Sequence, residues 1–214
     1  VTFDRVSDAP AGAPGALFVV SAPSGAGKTT LIRKALPDLG AVRFSVSATT
    51  RPRRPGEREG VDYFFVPRGT FEAMVMQDEF LEWARVHENL YGTPAGPVRA
   101  ALDTGADMLL DIDVQGALQV RSRMPQSVQI LVVPPSYDEL RRRIEGRGQD
   151  DPASVAVRLS NARAELSRFA EYDYVIINDD LGEAVENLKG IVRAGRVAMP
   201  RLASRVNAIL SAFP

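Results

Sequence analysis

Leu17-Phe18-Val19-Val20 is an unbroken apolar run, the pattern of a strand covered on both faces in a parallel sheet rather than half exposed. A Ser-Gly-Ala-Gly turn follows, and Lys28 to Leu36 then reads as a helix stopped before Pro37. Met108 to Ile112 and Val128 to Val133 repeat the strand pattern. Each leads into a helical stretch, Gln115 to Ser122 and Tyr137 to Glu145. Tyr174 to Ile177 is a fourth short strand, and Leu181 to Val197 a long helix. Strand alternating with helix predicts an α/β fold, a parallel sheet core flanked by helices.

Between about Phe44 and Tyr91 the rhythm breaks. Arg, Pro and Gly crowd the first half. Strand-like Val61 to Val66 and Phe80 to Val86 follow, with a short helix, Thr70 to Gln77, between them. We expect an inserted small mixed α/β unit over 44–93, with the core made of 16–43 and 94–214. Residues 1–15, with Pro10, Gly12, Pro14 and Gly15, read as a loose leader without a signal-peptide core. Leu202 to Leu210 reads as a short amphipathic helix.

Composition narrows the chemistry. The chain has 214 residues, 26 Lys and Arg against 27 Asp and Glu, no cysteine and one histidine. A balanced charge supplies no global field for nucleic acid or an anionic membrane, so any anion site is local. No apolar run approaches the ~18 residues that cross a bilayer. Lacking cysteine, the chain has no disulfide, thiol nucleophile or thiolate-held metal, which is compatible with a reducing cytoplasm. The lone His87 reads as a surface side chain rather than a catalyst.

Ala22-Pro23-Ser24-Gly25-Ala26-Gly27-Lys28-Thr29 fits the phosphate-binding loop pattern with alanine in place of its first glycine. Alanine is acceptable there only at negative φ. In such a loop backbone N–H groups point at phosphate oxygens, and the following helix adds its positive end. Lys28 then offsets charge on the outer phosphates, and the Thr29 hydroxyl is a ligand for Mg²⁺. Asp111 and Asp113 close a strand on one face, at the end where open α/β sheets bind ligands. Asp111 suits the metal or its waters, whereas Asp113 also stands where a helix cap is wanted. The run Ser45 to Glu57 clusters hydroxyls with Arg51, Arg53 and Arg54. Converging arginines bind a monophosphate bidentately, with Tyr63 and Tyr91 as helpers; a solvated basic loop is the alternative.

The run Thr49-Thr50-Arg51-x-x-Arg54-x-x-Glu57-x-x-Gly60-x-x-Tyr63-x-Phe65 resembles the signature of guanylate kinases, the ATP:GMP phosphotransferases. The likeness continues through Phe80 to Ala84, Tyr91-Gly92-Thr93, Leu110 to Gly116, Gly146-Arg147-Gly148 and Asn178-Asp179-Asp180. It implies a nucleoside monophosphate kinase of purine metabolism, using ATP, GMP and Mg²⁺. By that resemblance Ser24, Gly25, Ala26, Gly27, Lys28, Thr29, Thr30 and Asn178 hold ATP. Ser47, Arg51, Arg54, Tyr63, Glu82, Tyr91, Thr93 and Asp113 hold GMP, and Arg143, Arg147 and Arg158 form a catalytic lid over about 141–158. Arg143 and Arg147, four apart, would share one helix face, and Arg158 would begin the next helix. Glu82 accounts for base choice: guanine's N1–H and 2-amino donors suit one carboxylate, whereas adenine lacks that pair. Two rivals stand beside this reading, a non-catalytic protein-binding module of the same fold and a kinase for another small molecule.

Overall fold

The computed structural model describes residues 14–146 and 151–214. Most of the expected leader, together with Arg147 and Gly148, lies outside the described residues. In chain order the first part runs β1 (Leu17–Ser21), α1 (Lys28–Ala35), β2 (Arg43–Phe44), β3 (Ala48–Thr49), β4 (Phe64–Phe65), α2 (Arg68–Met76), β5 (Phe80–Val86) and β6 (Asn89–Pro94). The second part runs α3 (Ala95–Asp103), β7 (Met108–Asp111), α4 (Val114–Arg123), β8 (Val128–Val133), α5 (Tyr137–Glu145), α6 (Pro152–Leu166), β9 (Tyr174–Ile177), α7 (Leu181–Arg196) and α8 (Met199–Leu210).

Five parallel strands form the core sheet in the order β2-β7-β1-β8-β9. Every residue of central β1 is buried, because both faces are covered. Phe18, Val20 and Leu109 pack with α1 and α7 through Leu31, Ile32, Leu188 and Val192. Leu17, Val19 and Leu110 pack the other way, against Val98 of α3 and Ala117 and Val120 of α4. Continuous apolarity in the sequence therefore reports two helical layers.

A second, mixed sheet has the order β4-β3-β6-β5, with β3 and β4 parallel and the other pairs antiparallel. Its small core is Ala48, Phe71, Phe80 and Leu90, with the Phe71 and Phe80 rings stacked at 4.4 Å. Here the strand expected over Val61 to Val66 shrinks to Phe64–Phe65. Residues 58–62 make a turn instead: Asp62 Oδ2 accepts the Arg58 N–H at 2.7 Å, and the Arg58 carbonyl accepts from Asp62 N–H at 3.0 Å. β6 escaped the pattern because Gly92, Thr93 and Pro94 dilute its apolar content. His87 lies in the two-residue turn joining β5 to β6, exposed and at φ 53°, as its surface reading implied. Arg158 sits inside α6, which begins six residues earlier. Asp151 caps it, accepting from the Ala153 and Ser154 N–H groups.

A buried carboxylate ties the ends of the sheet to the terminal helices. Asp107, just before β7, accepts the Ala16 N–H at 2.9 Å, Arg196 Nε at 2.8 Å and an ion-pair contact from Arg201 at 2.9 Å. Arg201 is itself buried and also reaches the Pro14 carbonyl. Removing the acid leaves two cations without their counter-charge. We expect Asp107→Ala to cost about 3 kcal/mol in urea unfolding; a change below ~1 kcal/mol would show that solvent compensates both arginines.

Candidate active site

The carboxyl ends of four neighbouring core strands converge on one edge. β1 runs into Ser24 to Gly27, β7 ends at Asp111, β8 leads to α5, and β9 delivers Asn178. Gly25 and Gly27 hold φ of +94° and +93°, left-handed values that a side chain would strain, while Ala22 has no positive φ. The alanine at the first loop position is thus accommodated without cost. There is also no room at these glycines. A Cβ on Gly27 would lie 2.4 Å from the Asn178 amide, and one on Gly25 3.0 Å from Ile144.

Asn178 is buried and braces the loop by donating to the Ala26 carbonyl at 2.7 Å. Arg143 reaches the same carbonyl at 3.3 Å and the Asn178 carbonyl at 3.1 Å. Its Nε pairs with Glu139, one turn earlier, at 2.6 Å. Arg142 and Arg143 together hold the Glu139 carboxyl down at about 2. Arg158 Nη2 contacts the Ser24 hydroxyl at 2.7 Å. α5 ends at Glu145 with Gly146 as its cap, so of the expected pair of arginines only Arg143 is placed. Lys28 begins α1 and pairs with Asp111 at 2.7 Å while donating to the Ile112 carbonyl. Thr29 and Thr30 are exposed in the first turn of that helix.

On the other side, Arg51 lies 5.5 Å from the Tyr63 ring centroid and 5.8 Å from that of Phe65. Glu57 pairs with it at 2.7 Å, and Tyr63 and Tyr91 meet edge to face at 5.9 Å. Hydrogen bonds to Glu57 and Tyr91 raise the Arg51 pKa, whereas burial of the Tyr63 ring raises that of its phenol. Arg54 remains exposed, tied into the loop by its backbone N–H to Glu57 Oε2 at 2.8 Å. Ser47 is half-buried beside β4, and its carbonyl accepts the Phe64 N–H.

Glu82 stands opposite Thr93 in the β5–β6 register, and the Thr93 hydroxyl donates to its Oε1 at 2.6 Å. Only 6% of Glu82 is exposed. Asp113 caps α4, accepting the Gly116 N–H at 2.7 Å, so the capping role read from sequence is realised at this residue. Sequence reasoning missed Gln119. Its side-chain amide pairs with the backbone of Trp83 in both directions, Trp83 N–H to Oε1 at 3.2 Å and Nε2 to the Trp83 carbonyl at 3.0 Å. It also missed Tyr172, whose hydroxyl meets Ser21 at 2.6 Å just ahead of the loop. Neither has a local signature, since each acts across more than thirty residues of chain. Glu139 was findable, four positions before Arg143 on a predicted helix.

Residues 15–195 match the family model described as guanylate kinase. The guanylate kinase of Alkalilimnicola ehrlichii is 50% identical over 188 residues, covering 88% of this chain and 93% of that one. The guanylate kinase of Thiobacillus denitrificans is 47% identical over 204 residues, covering 95% and 98%. Among solved structures, the guanylate kinase of Anaplasma phagocytophilum superposes with a TM-score of 0.70 at 37% identity, over 88% of this chain and 90% of that one. The chain belongs to the guanylate kinase family.

Within this guanylate kinase fold the electrostatics of Glu82 stand out. Burial pushes its carboxyl up to about 7, and the nearby charge of Asp113 pushes the same way; Thr93 and Lys28 pull it down. Between the ordinary value of 4.5 and 7 the folded chain holds a proton that the unfolded chain releases. Stability attributable to this group therefore falls as pH rises through that window, by about 3 kcal/mol once pH exceeds 7. Glu82→Gln keeps an acceptor for Thr93 and removes the titration. The variant should match the wild type in urea at pH 4.5 and exceed it by up to ~3 kcal/mol at pH 8. A difference independent of pH would mean that this carboxyl titrates normally.

Proposed function

We propose that this chain transfers the γ-phosphoryl group of ATP to the phosphate of GMP, and of dGMP, giving ADP and GDP or dGDP. The observation that carries the reading is the buried Glu82–Thr93 pair, set close enough to the phosphate loop for Lys28 to act on the carboxyl. A carboxylate kept from water accepts guanine's N1–H and 2-amino donors together, and a base lacking them leaves it unpaired. Ser47 and Asp113 complete the base side, while Arg51, Arg54, Tyr63 and Tyr91 hold the acceptor phosphate.

On the donor side the loop from Ser24 to Gly27 offers backbone N–H groups to the ATP phosphates. Lys28, Arg143 and Arg158 offset the charge that spreads over the transferring group, and Arg147 belongs to the same set. The acceptor oxygen is already anionic and attacks phosphorus directly. Its bond to the γ-phosphorus forms as the bond to the β,γ-bridging oxygen breaks, so the protein's task is alignment.

Mg²⁺ fits the donors present. Thr29 offers a hydroxyl, and Asp111 a carboxylate, itself or through a water. Among the described residues no three acidic or histidine side chains form a cage, which suits an ion that keeps most of its shell as water and phosphate. Bound there, it would draw charge from the bridging and terminal phosphate oxygens. No described helix is long and apolar enough to cross a membrane, and a cysteine-free enzyme acting on ATP and GMP suits the cytoplasm.

An ADP-release assay across GMP, dGMP, AMP, CMP and UMP tests the reading: GMP and dGMP should be consumed, and turnover of AMP alone would overturn it. Lys28→Ala should lower kcat by roughly a hundredfold or more while leaving GMP affinity nearly intact. Glu82→Gln should raise KM for GMP far more than KM for ATP; equal effects would make Glu82 structural.

A further inference from the structure

The wall behind Glu82 is the first turn of α4, and that wall is a glycine. A Cβ built on Gly116 would stand 2.9 Å from Glu82 Oε2, 3.3 Å from Glu82 Cδ and 3.3 Å from Asp113 Oδ1. The first distance is closer than carbon and oxygen tolerate. Gly116 is not among the residues with positive φ and lies within the helix, so its backbone has no need of glycine. What requires glycine here is the space that the carboxylate occupies.

Glu82 is confined on its other sides as well. Thr93 holds Oε1, and Gln119, three residues beyond Gly116, fixes the backbone of the next residue, Trp83, from both sides. Arg123, one turn further, donates to the Phe80 carbonyl at 2.8 Å. α4 thus holds β5 along its exposed edge, and Gly116 sets how near the acid approaches the helix. Those tethers resist a shift of the backbone, so with a methyl group at 116 the flexible end of Glu82 is what moves aside. We propose that Gly116 is a positioning residue for base choice, leaving the one gap in which the Glu82 carboxylate can face both donors of a guanine edge. The inference rests on the reading of Glu82 given above.

Helix energetics make the idea testable. Alanine is a better helix former than glycine by ~0.5–1 kcal/mol, so Gly116→Ala should fold and melt no lower than the wild type. Displacing an acceptor by about half an ångström or more should still lower kcat/KM for GMP by about tenfold, since a misplacement of ~1 Å costs about a hundredfold, with KM for ATP unchanged. Gly190→Ala, in α7 with open space around it, is the matched control and should leave both substrates unaffected.

Glu82→Asp separates the alternatives. Alone it withdraws the carboxylate and weakens GMP use. Combined with Gly116→Ala it gives the shortened acid room beside the methyl, so the double variant should lose much less than the product of the two single losses. Full multiplicativity, unchanged GMP kinetics in Gly116→Ala, or equal losses for GMP and ATP would each overturn the role of Gly116. Should Glu82→Gln itself leave the preference for GMP intact, the reading of Glu82 fails, and the inference with it. Should Glu82→Gln lose that preference while Gly116→Ala keeps it, the inference alone fails.

Discussion

A carboxylate withdrawn from water is the constraint around which the β5–β6 side of this molecule is arranged. Burying an acid on β5 is unfavourable unless its oxygens are occupied and its position fixed. The β5–β6 register supplies the Thr93 hydroxyl, and α4 supplies a close wall and an amide tether. The result is an acid whose neutral form is favoured in the folded chain. Such a group suits a ligand that offers two parallel donors, which is what the proposed guanine contact would supply.

The glycine-rich loop after β1 rests on a different constraint, that of backbone shape. Gly25 and Gly27 adopt left-handed values, and a side chain at either would crowd Leu140 and Ile144 or Asn178. The loop is gripped through its carbonyls, with Ala26 taking both Asn178 and Arg143. Because Asn178 follows β9 and Arg143 belongs to α5, which follows β8, the loop is held from the β8–β9 side of the sheet.

Much of this was legible in the chain, and the reasons are physical. The apolar run of β9 buries only Ile176, whereas those of β1, β7 and β8 announce themselves because both faces are covered. The loop does so because Gly25, Gly27, Lys28 and Thr29 answer to one geometry. β6 was hidden because Gly92, Thr93 and Pro94 serve close packing and polar contact rather than a hydrophobic face. α6 begins six residues ahead of Arg158 because its start is set by the cap at Asp151. Glu82 could be singled out as an acid in apolar company. Gln119 could not, since nothing local says that a helix side chain will bond to a strand thirty-six residues away.

That contact bears on more than the site. β5 is the outermost strand of its sheet, and it carries Trp83 and Val86 partly in the open. An uncovered strand margin is a template on which other chains can add and spread into fibrils. At Trp83 both backbone groups are already taken by the Gln119 amide, which imitates one rung of a neighbouring strand. The same side chain that steadies β5 next to Glu82 therefore also blocks a rung on which aggregation could begin.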